Sequence, residues 1–216
     1  MTDPLRPTLL PLGDRALLIR FADTLSDAAN RAAIAFAALA EAAALPGVVE
    51  IVPNLVSVLL RYEPGAITFE RLAGELRLLT SAPGGATVAG AAHAIAISFD
   101  GEDLGDVASQ LNLAPAGFIR AHNARSLRVL ATGFAPGFVY CGLHPAALVV
   151  PRRTVVRRQV PAGTVLFAAG QTAITSTPIP TGWHVIGHTG FRNFDPAAEP
   201  PTAVRAGDTI RFEVAT

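Results

Sequence analysis

Residues 132–140 read Thr-Gly-Phe-Ala-Pro-Gly-Phe-Val-Tyr, and they directly follow an apolar run. Gly133 and Gly137 permit backbone angles that other residues rarely adopt, while Pro136 fixes its own φ and donates no N–H. Such a loop is rigid, and its backbone can approach a ligand or a partner closely. It is too apolar for an ordinary solvent loop, and its glycine content argues against a strand. A buried loop that closes a barrel and a functional loop both fit these nine residues.

Short β-rich runs broken by Gly and Pro surround this stretch in the second part of the chain. The predicted strands there are residues 93–99, 126–131, 160–168, 172–176, 185–188 and 209–214. Two short helices are predicted over residues 103–111 and 115–122, the second led by a proline. Many short strands with frequent breaks indicate a barrel or a sandwich.

The first third of the chain has a different pattern. Strands are predicted over residues 16–21, 48–52 and 56–62. Ser26 is a good N-cap for an alanine-rich helix that ends near Pro46, and Thr68 caps a second helix with apolar residues at helical spacing. This β-α-β-β-α order predicts a small layered α+β domain, residues 1–82, joined by a small-residue linker, 83–92, to a second domain, 93–216.

Composition excludes several functions. The 216 residues carry no net charge at pH 7, which argues against nucleic acid as the main partner. All 17 basic residues are arginines, so the chain has no Walker-type phosphate-binding lysine, no Schiff-base lysine and no lysine to carry biotin. The single cysteine, Cys141, excludes an internal disulfide, suits a reducing cytoplasm and is predicted to be a small buried hydrophobe. The N-terminus lacks the layout of a signal peptide.

Polar residues that could carry chemistry lie in the second part. Asp100 follows a predicted strand in an Asp-Gly turn, and His122 ends a short helix. Residues 151–163 contain four arginines, and because neighbouring side chains on an extended segment point to opposite faces, Arg157 and Arg158 cannot both face one pocket. The planar guanidinium suits a carboxylate or a phosphate. Residues 170–172, Gly-Gln-Thr, place an amide beside a hydroxyl, and these groups can hydrogen-bond a carbonyl, a lactam or an amide.

Taken in order, these blocks resemble a known family along nearly the whole chain. The resemblance rests on the following segments: 12–17, 99–101, 120–122, 133–138, 151–152, 160–163, 170–172, 182–183, 186–187, 194–196 and 207–208. The family is the B-type subunit of bacterial 5-oxoprolinase, also known as allophanate hydrolase subunit 1 or the sporulation kinase inhibitor. The same module forms part of the carboxyltransferase region of urea carboxylase.

The resemblance implies an α+β protein in which a small N-terminal domain precedes a cyclophilin-like β-barrel. It also implies a barrel-type partner, the C-type subunit of the same system, and a third subunit, which together open the 5-oxoproline lactam to glutamate with ATP. ATP would be used by the complex rather than bound through a P-loop of this chain, and no metal or biotin would be attached to it. The alternatives are an allophanate or urea-type carboxyltransferase role, and a non-catalytic inhibitor of a histidine kinase.

The blocks that match the family supply the predicted site. In the enzyme hypothesis Arg158 pairs with the substrate carboxylate, Gln171 and Thr172 bond the amide or carbonyl, and the loop at Pro136 and Gly137 shapes the pocket. His122 and Asp100 are the predicted acid–base or orienting residues, since histidine titrates near neutral pH. The chain departs from the usual family pattern at several pocket loops, where for example Ala173 follows Gln-Thr in place of a glycine.

Overall fold

The computed structural model describes residues 7–81 and 90–215. The chain divides into two compact units, residues 1–89 and 90–216, which we call unit 1 and unit 2. Residues 83–89 of the predicted linker lie outside the described residues, and Ala92 is already the first residue of a strand. Together the two units contain both helices and sheets, as the sequence predicts. No helix among the described residues is long and apolar enough to cross a membrane.

Unit 1 is an antiparallel sheet with two helices. Its strands are β1 (Thr8–Leu12), β2 (Ala16–Arg20), β3 (Val48–Pro53) and β4 (Ser57–Tyr62), and its helices are α1 (Asp27–Ala43) and α2 (Phe69–Ser81). The strand order is β1-β2-β4-β3. The predicted caps are confirmed, because Ser26 Oγ accepts from the N–H of Ala29 and Thr68 Oγ1 accepts from the N–H of Arg71. Strand β1 was not predicted from the sequence.

Unit 2 combines short strands with two short helices. In chain order they are β5 (Ala92–Ile97), α3 (Leu104–Gln110), α4 (Pro115–His122), β6 (Leu127–Thr132), β7 (Val139–Gly142), β8 (Arg157–Val160), β9 (Thr164–Ala168), β10 (Gln171–Ile174), β11 (Ile179–Thr181), β12 (His184–His188) and β13 (Thr209–Val214). Seven strands form one sheet in the order β12-β9-β10-β7-β6-β13-β5. Strands β11 and β8 pair with each other as a separate ribbon.

The seven-stranded sheet curls until its two outer strands meet. Ser98, just after β5, and His188, at the end of β12, exchange two backbone hydrogen bonds of 2.9 Å. This bridge joins the first and last strands of the sheet order, so the sheet has an inner and an outer face.

Each face of the curled sheet has its own core. Val165, Phe167 and Ile174 belong to the main core of the unit, whereas their strand neighbours Leu166 and Ala173 belong to a smaller core. Because consecutive strand residues point to opposite faces, the main core fills the inside of the curl and the smaller one covers its outside. We call these surfaces the inner face and the outer face. Cys141 lies in the inner core with no exposed surface, as predicted.

The stretch at residues 132–140 is a hairpin rather than an isolated loop. Thr132 ends β6 and pairs directly with Val139, the first residue of β7. The expectation that glycine content excludes a strand is therefore wrong for residues 139–140, because both glycines fall in the connection at 133–138 and leave the paired residues regular. The N–H of Gly133 donates to the carbonyl of Phe138 at 3.0 Å and closes that connection.

Candidate functional site

The predicted site residues occupy several places in unit 2. Gln171 and Thr172 are consecutive residues of β10, so their side chains point to opposite faces of the sheet. Thr172 contacts histidines on the inner face, whereas Gln171 shares the outer face with Ala173. They cannot hydrogen-bond the same substrate group from one side of the sheet.

Thr172 lies at the centre of a buried network on the inner face. Its Oγ1 lies 2.8 Å from Nε2 of His122 and 2.9 Å from Nε2 of His144, and Nδ1 of His122 lies 2.6 Å from Oδ1 of Asn123. A carboxamide oxygen only accepts, so Nδ1 of His122 carries its proton and Nε2 accepts from the Thr172 hydroxyl. That hydroxyl in turn accepts from Nε2–H of His144. Nδ1 of His144 is then a bare, buried nitrogen with no hydrogen-bond partner among the described residues.

Burial controls the charge of both histidines. Removal from water lowers the pKa of His122 to about 4, and the hydrogen bond with Asn123 opposes this shift only in part. Burial, together with the nearby His122 and Arg125, lowers the pKa of His144 to about 3. Both imidazoles are therefore neutral at pH 7. The hydrogen bonds of His122 are with residues of its own chain, and its acid–base role stays a prediction. Aromatic rings surround His122, and they belong to Phe99, Phe118, Phe167 and Phe212.

Asp100 lies at the surface, in a different environment from His122. Its Oδ1 lies 2.9 Å from Nδ1 of His188, and the pair lines a cavity of ≈ 290 Å³ together with Gln159 and Thr164. An acid–base or orienting role for Asp100 stays a prediction. The loop residues Pro136 and Gly137 line another open cavity, of ≈ 360 Å³.

The two neighbouring arginines of β8 have different surroundings. Arg158 is exposed, while Arg157 pairs with the buried carboxylate of Asp103. The prediction that Arg157 and Arg158 do not face one pocket is therefore confirmed. The assignment of Arg158 to a substrate carboxylate stays a prediction.

The outer face carries a group of side chains that the sequence reasoning only partly identified. A row of aromatic rings runs from the hairpin connection across the sheet: Phe134 to Phe138 at 5.6 Å, Phe138 to Tyr140 at 4.6 Å and Tyr140 to Trp183 at 6.1 Å between centroids. The guanidinium of Arg152 lies over the Trp183 ring, 5.6 Å from its centroid. Burial raises the pKa of Tyr140 and the charge of Arg152 lowers it, with a net rise, so the phenol remains a proton donor at neutral pH.

Gln171 lies on the same outer face between two small neighbours. It pairs across the sheet with Ala168 on β9, and Gly142 on β7 lies close enough that a Cβ there would stand 3.4 Å from Cγ of Gln171. Its Oε1 is buried and has no hydrogen-bond partner among the described residues. A buried amide oxygen without a partner costs free energy, so a glutamine is not the most stabilising residue for this position.

We define the outer site as Tyr140, Arg152, Gln171 and Trp183. Arginine and tyrosine supply donors for an anion, and the glutamine supplies both a donor and an acceptor for an amide. Of these four residues only Gln171 was predicted as a substrate ligand. One signal could have found Trp183: it is the only tryptophan of the chain. No group of three or more His, Cys, Asp or Glu side chains within 7–81 and 90–215 is arranged to hold a metal ion.

Comparison with known proteins agrees with the resemblance read from the sequence. The family described as carboxyltransferase domain, subdomain C and D, matches residues 7–204. The B-type subunit of the 5-oxoprolinase of Bacillus subtilis (strain 168) is 32% identical over 215 residues, which cover 93% of this chain and 90% of that protein.

Solved structures of other proteins contain the same fold as this chain. The crystal structure of TTHA0988 has a TM-score of 0.83 and 37% identity, and the match covers 94% of this chain but only 40% of that longer chain. The urea carboxylase of Kluyveromyces lactis shares the fold at 14% identity, with a TM-score of 0.78 over all of this chain and 22% of that chain. Together, the match over residues 7–204 and the identity with the Bacillus subtilis protein show that the chain belongs to the carboxyltransferase family of subdomains C and D, which includes the B-type subunits of 5-oxoprolinases.

Proposed function

We propose that this chain is one component of a heteromeric, ATP-dependent 5-oxoprolinase, in which it forms a small-molecule pocket together with a partner homologous to the C-type subunit of that system. The observation that carries the proposal is the 32% identity to a B-type 5-oxoprolinase subunit across 93% of this chain. In that reaction water adds across the lactam C–N bond of 5-oxoproline to give glutamate, and the opening is coupled to ATP hydrolysis. Unit 2 would be the cyclophilin-like barrel of the family.

The chemistry of the outer site supports this substrate. 5-Oxoproline carries a carboxylate and a cyclic amide on one small ring. Arg152 offers a cation for the carboxylate, while the side-chain amide of Gln171 would hydrogen-bond the lactam amide. The lack of lysine supports a division of labour in which a partner handles the phosphates of ATP, because a P-loop uses a lysine there. We propose that the chain alone does not turn over substrate.

Reconstitution tests the proposal. The full chain is purified with the products of its neighbouring genes, and glutamate release from 5-oxoproline is measured with and without ATP. Release that requires ATP and this chain supports the function. A folded, complete complex that releases no glutamate would contradict the proposed function. The same preparation shows which proteins copurify, and recovery of a histidine kinase in place of a barrel-type partner would favour the kinase-inhibitor alternative.

A carboxyltransferase role is the second candidate, favoured by the family match over residues 7–204 and by the fold shared with a urea carboxylase. In that role the same pocket would hold an amide that accepts a carboxyl group from a carrier on another chain, since this chain has no lysine for biotin. Biotin-dependent carboxylation of urea, with no lactam opening, would select this candidate over the first.

A further inference from the structure

Arg152 presents a fixed cation on the outer face. The residue is exposed, its guanidinium lies over the buried Trp183 ring, and its charge acts on the Tyr140 phenol. Among the described residues, no carboxylate lies within ion-pair distance of it, in contrast to Arg153 and Arg157. A guanidinium that is held over an aromatic ring and lacks an anionic partner has its hydrogen-bonding edge free for a ligand.

The backbone on both sides of Arg152 is tied to the segment that carries Trp183. The N–H of Arg153 donates to the carbonyl of Gly182 at 2.7 Å. Nε2–H of His184 donates to the carbonyl of Pro151 at 3.0 Å. Since these two bonds flank Arg152 on one segment and Trp183 on the other, they hold the two backbones in register, and the guanidinium stacks on the indole from that position.

The side chain of Asp103 contacts both the segment that carries Arg152 and the strand that follows Trp183. Its carboxylate pairs with Arg153 at 2.5 Å and with Arg157 at 2.7 Å, and it accepts from the N–H of Val185 at 2.7 Å. Burial alone would raise the pKa of Asp103, but the hydrogen bonds from Arg157 and Val185 and the charges of both arginines lower it. The carboxylate is therefore ionised at neutral pH, and it joins the segments that carry Arg153, Arg157 and Val185.

We propose that Arg152 binds the carboxylate of a small cyclic-amide substrate, and that Asp103 is a positioning residue that acts on Arg152 through Arg153. The identity of the substrate class rests on the proposed function, but the anion site itself rests on the contacts of this chain. A guanidinium already confined over Trp183 loses little conformational entropy when it binds, which favours recognition of a weakly held small anion. Tyr140 adds a neutral O–H donor beside it.

The proposal assigns to Arg152 the role that sequence reasoning gave to Arg158. The two differ in their surroundings: Arg152 lies over an aromatic ring on the outer face with the unsatisfied Gln171, whereas Arg158 is exposed on the β8 ribbon. Arg152→Gln and Arg158→Gln therefore discriminate the two assignments directly.

The test uses the fluorescence of Trp183, the only tryptophan, in the full chain. The chain is titrated with 5-oxoproline, with 2-pyrrolidinone, which is the same lactam without a carboxylate, and with inorganic phosphate. We expect a saturable emission change with 5-oxoproline and little with 2-pyrrolidinone. Arg152→Gln should weaken binding about tenfold or more, as for loss of a charge-assisted hydrogen bond. Arg211→Gln, an exposed arginine on β13, is the matched control and should change binding less than about twofold.

Two variants test the positioning role of Asp103. Asp103→Asn should weaken 5-oxoproline binding by roughly threefold to tenfold and shift the emission of the free chain, because Arg152 loses its fixed place over the indole. If that variant does not fold, Arg153→Gln removes the same tether and keeps the pair between Arg157 and Asp103. Folded variants that bind like the wild type would remove Asp103 from the proposal.

Three other results would contradict the assignment of Arg152 as the carboxylate-binding residue. No carboxylate-dependent response of the wild-type chain, a response to phosphate alone, or loss of binding in Arg158→Gln but not in Arg152→Gln would overturn the proposal. Failure of the proposed function is a separate result: a complex without ATP-dependent glutamate release would sink the function, and a carboxylate response that depends on Arg152 would still stand.

Discussion

His122 and His144 bond the same hydroxyl from two sides, and their ring centroids lie 4.9 Å apart inside unit 2. Thr172 Oγ1 donates to one imidazole and accepts from the other, so a single atom satisfies two buried nitrogens. The contact between the two histidines through hydrogen bonds therefore depends on the Thr172 hydroxyl.

Thr172→Val should destabilise unit 2 by roughly 2–4 kcal/mol, because the isosteric change leaves two buried imidazole nitrogens without partners. Thr172→Ser keeps the hydroxyl and should cost about 1 kcal/mol for the lost methyl group. Urea denaturation of both variants measures the difference. Equal losses in the two variants would show that the hydroxyl is not what the site requires.

The two histidines should make the protein less stable in mild acid. Their folded pKa values, about 4 and about 3, lie below the ordinary value of 6.5, so below pH 6.5 the unfolded chain binds more protons than the folded one. The two neutral imidazoles therefore make their full contribution to the free energy of unfolding well above pH 6.5. That contribution is lost as the pH falls below 6.5 toward the folded pKa values of about 4 and about 3. Between pH 7.5 and pH 5 the expected loss is about 2 kcal/mol for each histidine. A free energy of unfolding that stays constant over this range would contradict neutral, buried imidazoles.

Local signals predicted the helices well and the site only in part. Ser26 and Thr68 cap helices because capping needs only residues three positions away, which a sequence displays directly. Strand β7 was missed because the glycines of the connection at 133–138 were counted against the β-forming residues Val139 and Tyr140 that follow it.

The geometry of the outer site depends on residues that are distant in sequence. Arg152 and Trp183 are 31 positions apart, and the tether from Arg153 to Asp103 spans 50 positions. No periodicity or motif spacing reports such pairs. The opposite orientations of the Gln171 and Thr172 side chains, however, follow from strand alternation alone, so they could have been predicted from the strand assignment of residues 172–176 extended by one residue.

Gly137 is required where the hairpin connection packs on the rest of unit 2. Its φ is +68°, and a Cβ at this position would lie 2.5 Å from Cβ of Phe194 and 2.8 Å from Cβ of Ser176. Gly137→Ala should therefore cost roughly 2–4 kcal/mol, from backbone strain and overpacking together.

Gly105→Ala in α3 is the control for Gly137→Ala. Nothing lies within 4 Å of its added Cβ, so it should stabilise the helix by about 0.5–1 kcal/mol. Thermal unfolding compares the two variants. A Gly137→Ala protein as stable as wild type would mean that the connection moves away from Phe194 at no cost.

Gln171→Leu should separate stability from binding. Removal of a buried oxygen without a partner should leave the free energy of unfolding unchanged or raise it by about 1 kcal/mol, while binding of 5-oxoproline weakens about tenfold. Gln110→Leu, at an exposed glutamine at the end of α3, is the control for the added apolar surface. Parallel loss of stability and binding would indicate that Gln171 is structural.

The most direct test of a carboxylate-binding outer face is the steady-state kinetics of glutamate release by the reconstituted complex with wild-type chain or with Arg152→Gln. We predict that the KM for 5-oxoproline rises about tenfold or more in the variant while kcat changes by less than about threefold, because the arginine binds a group that does not react. A wild-type complex that is active and an Arg152→Gln complex with an unchanged KM would contradict the account.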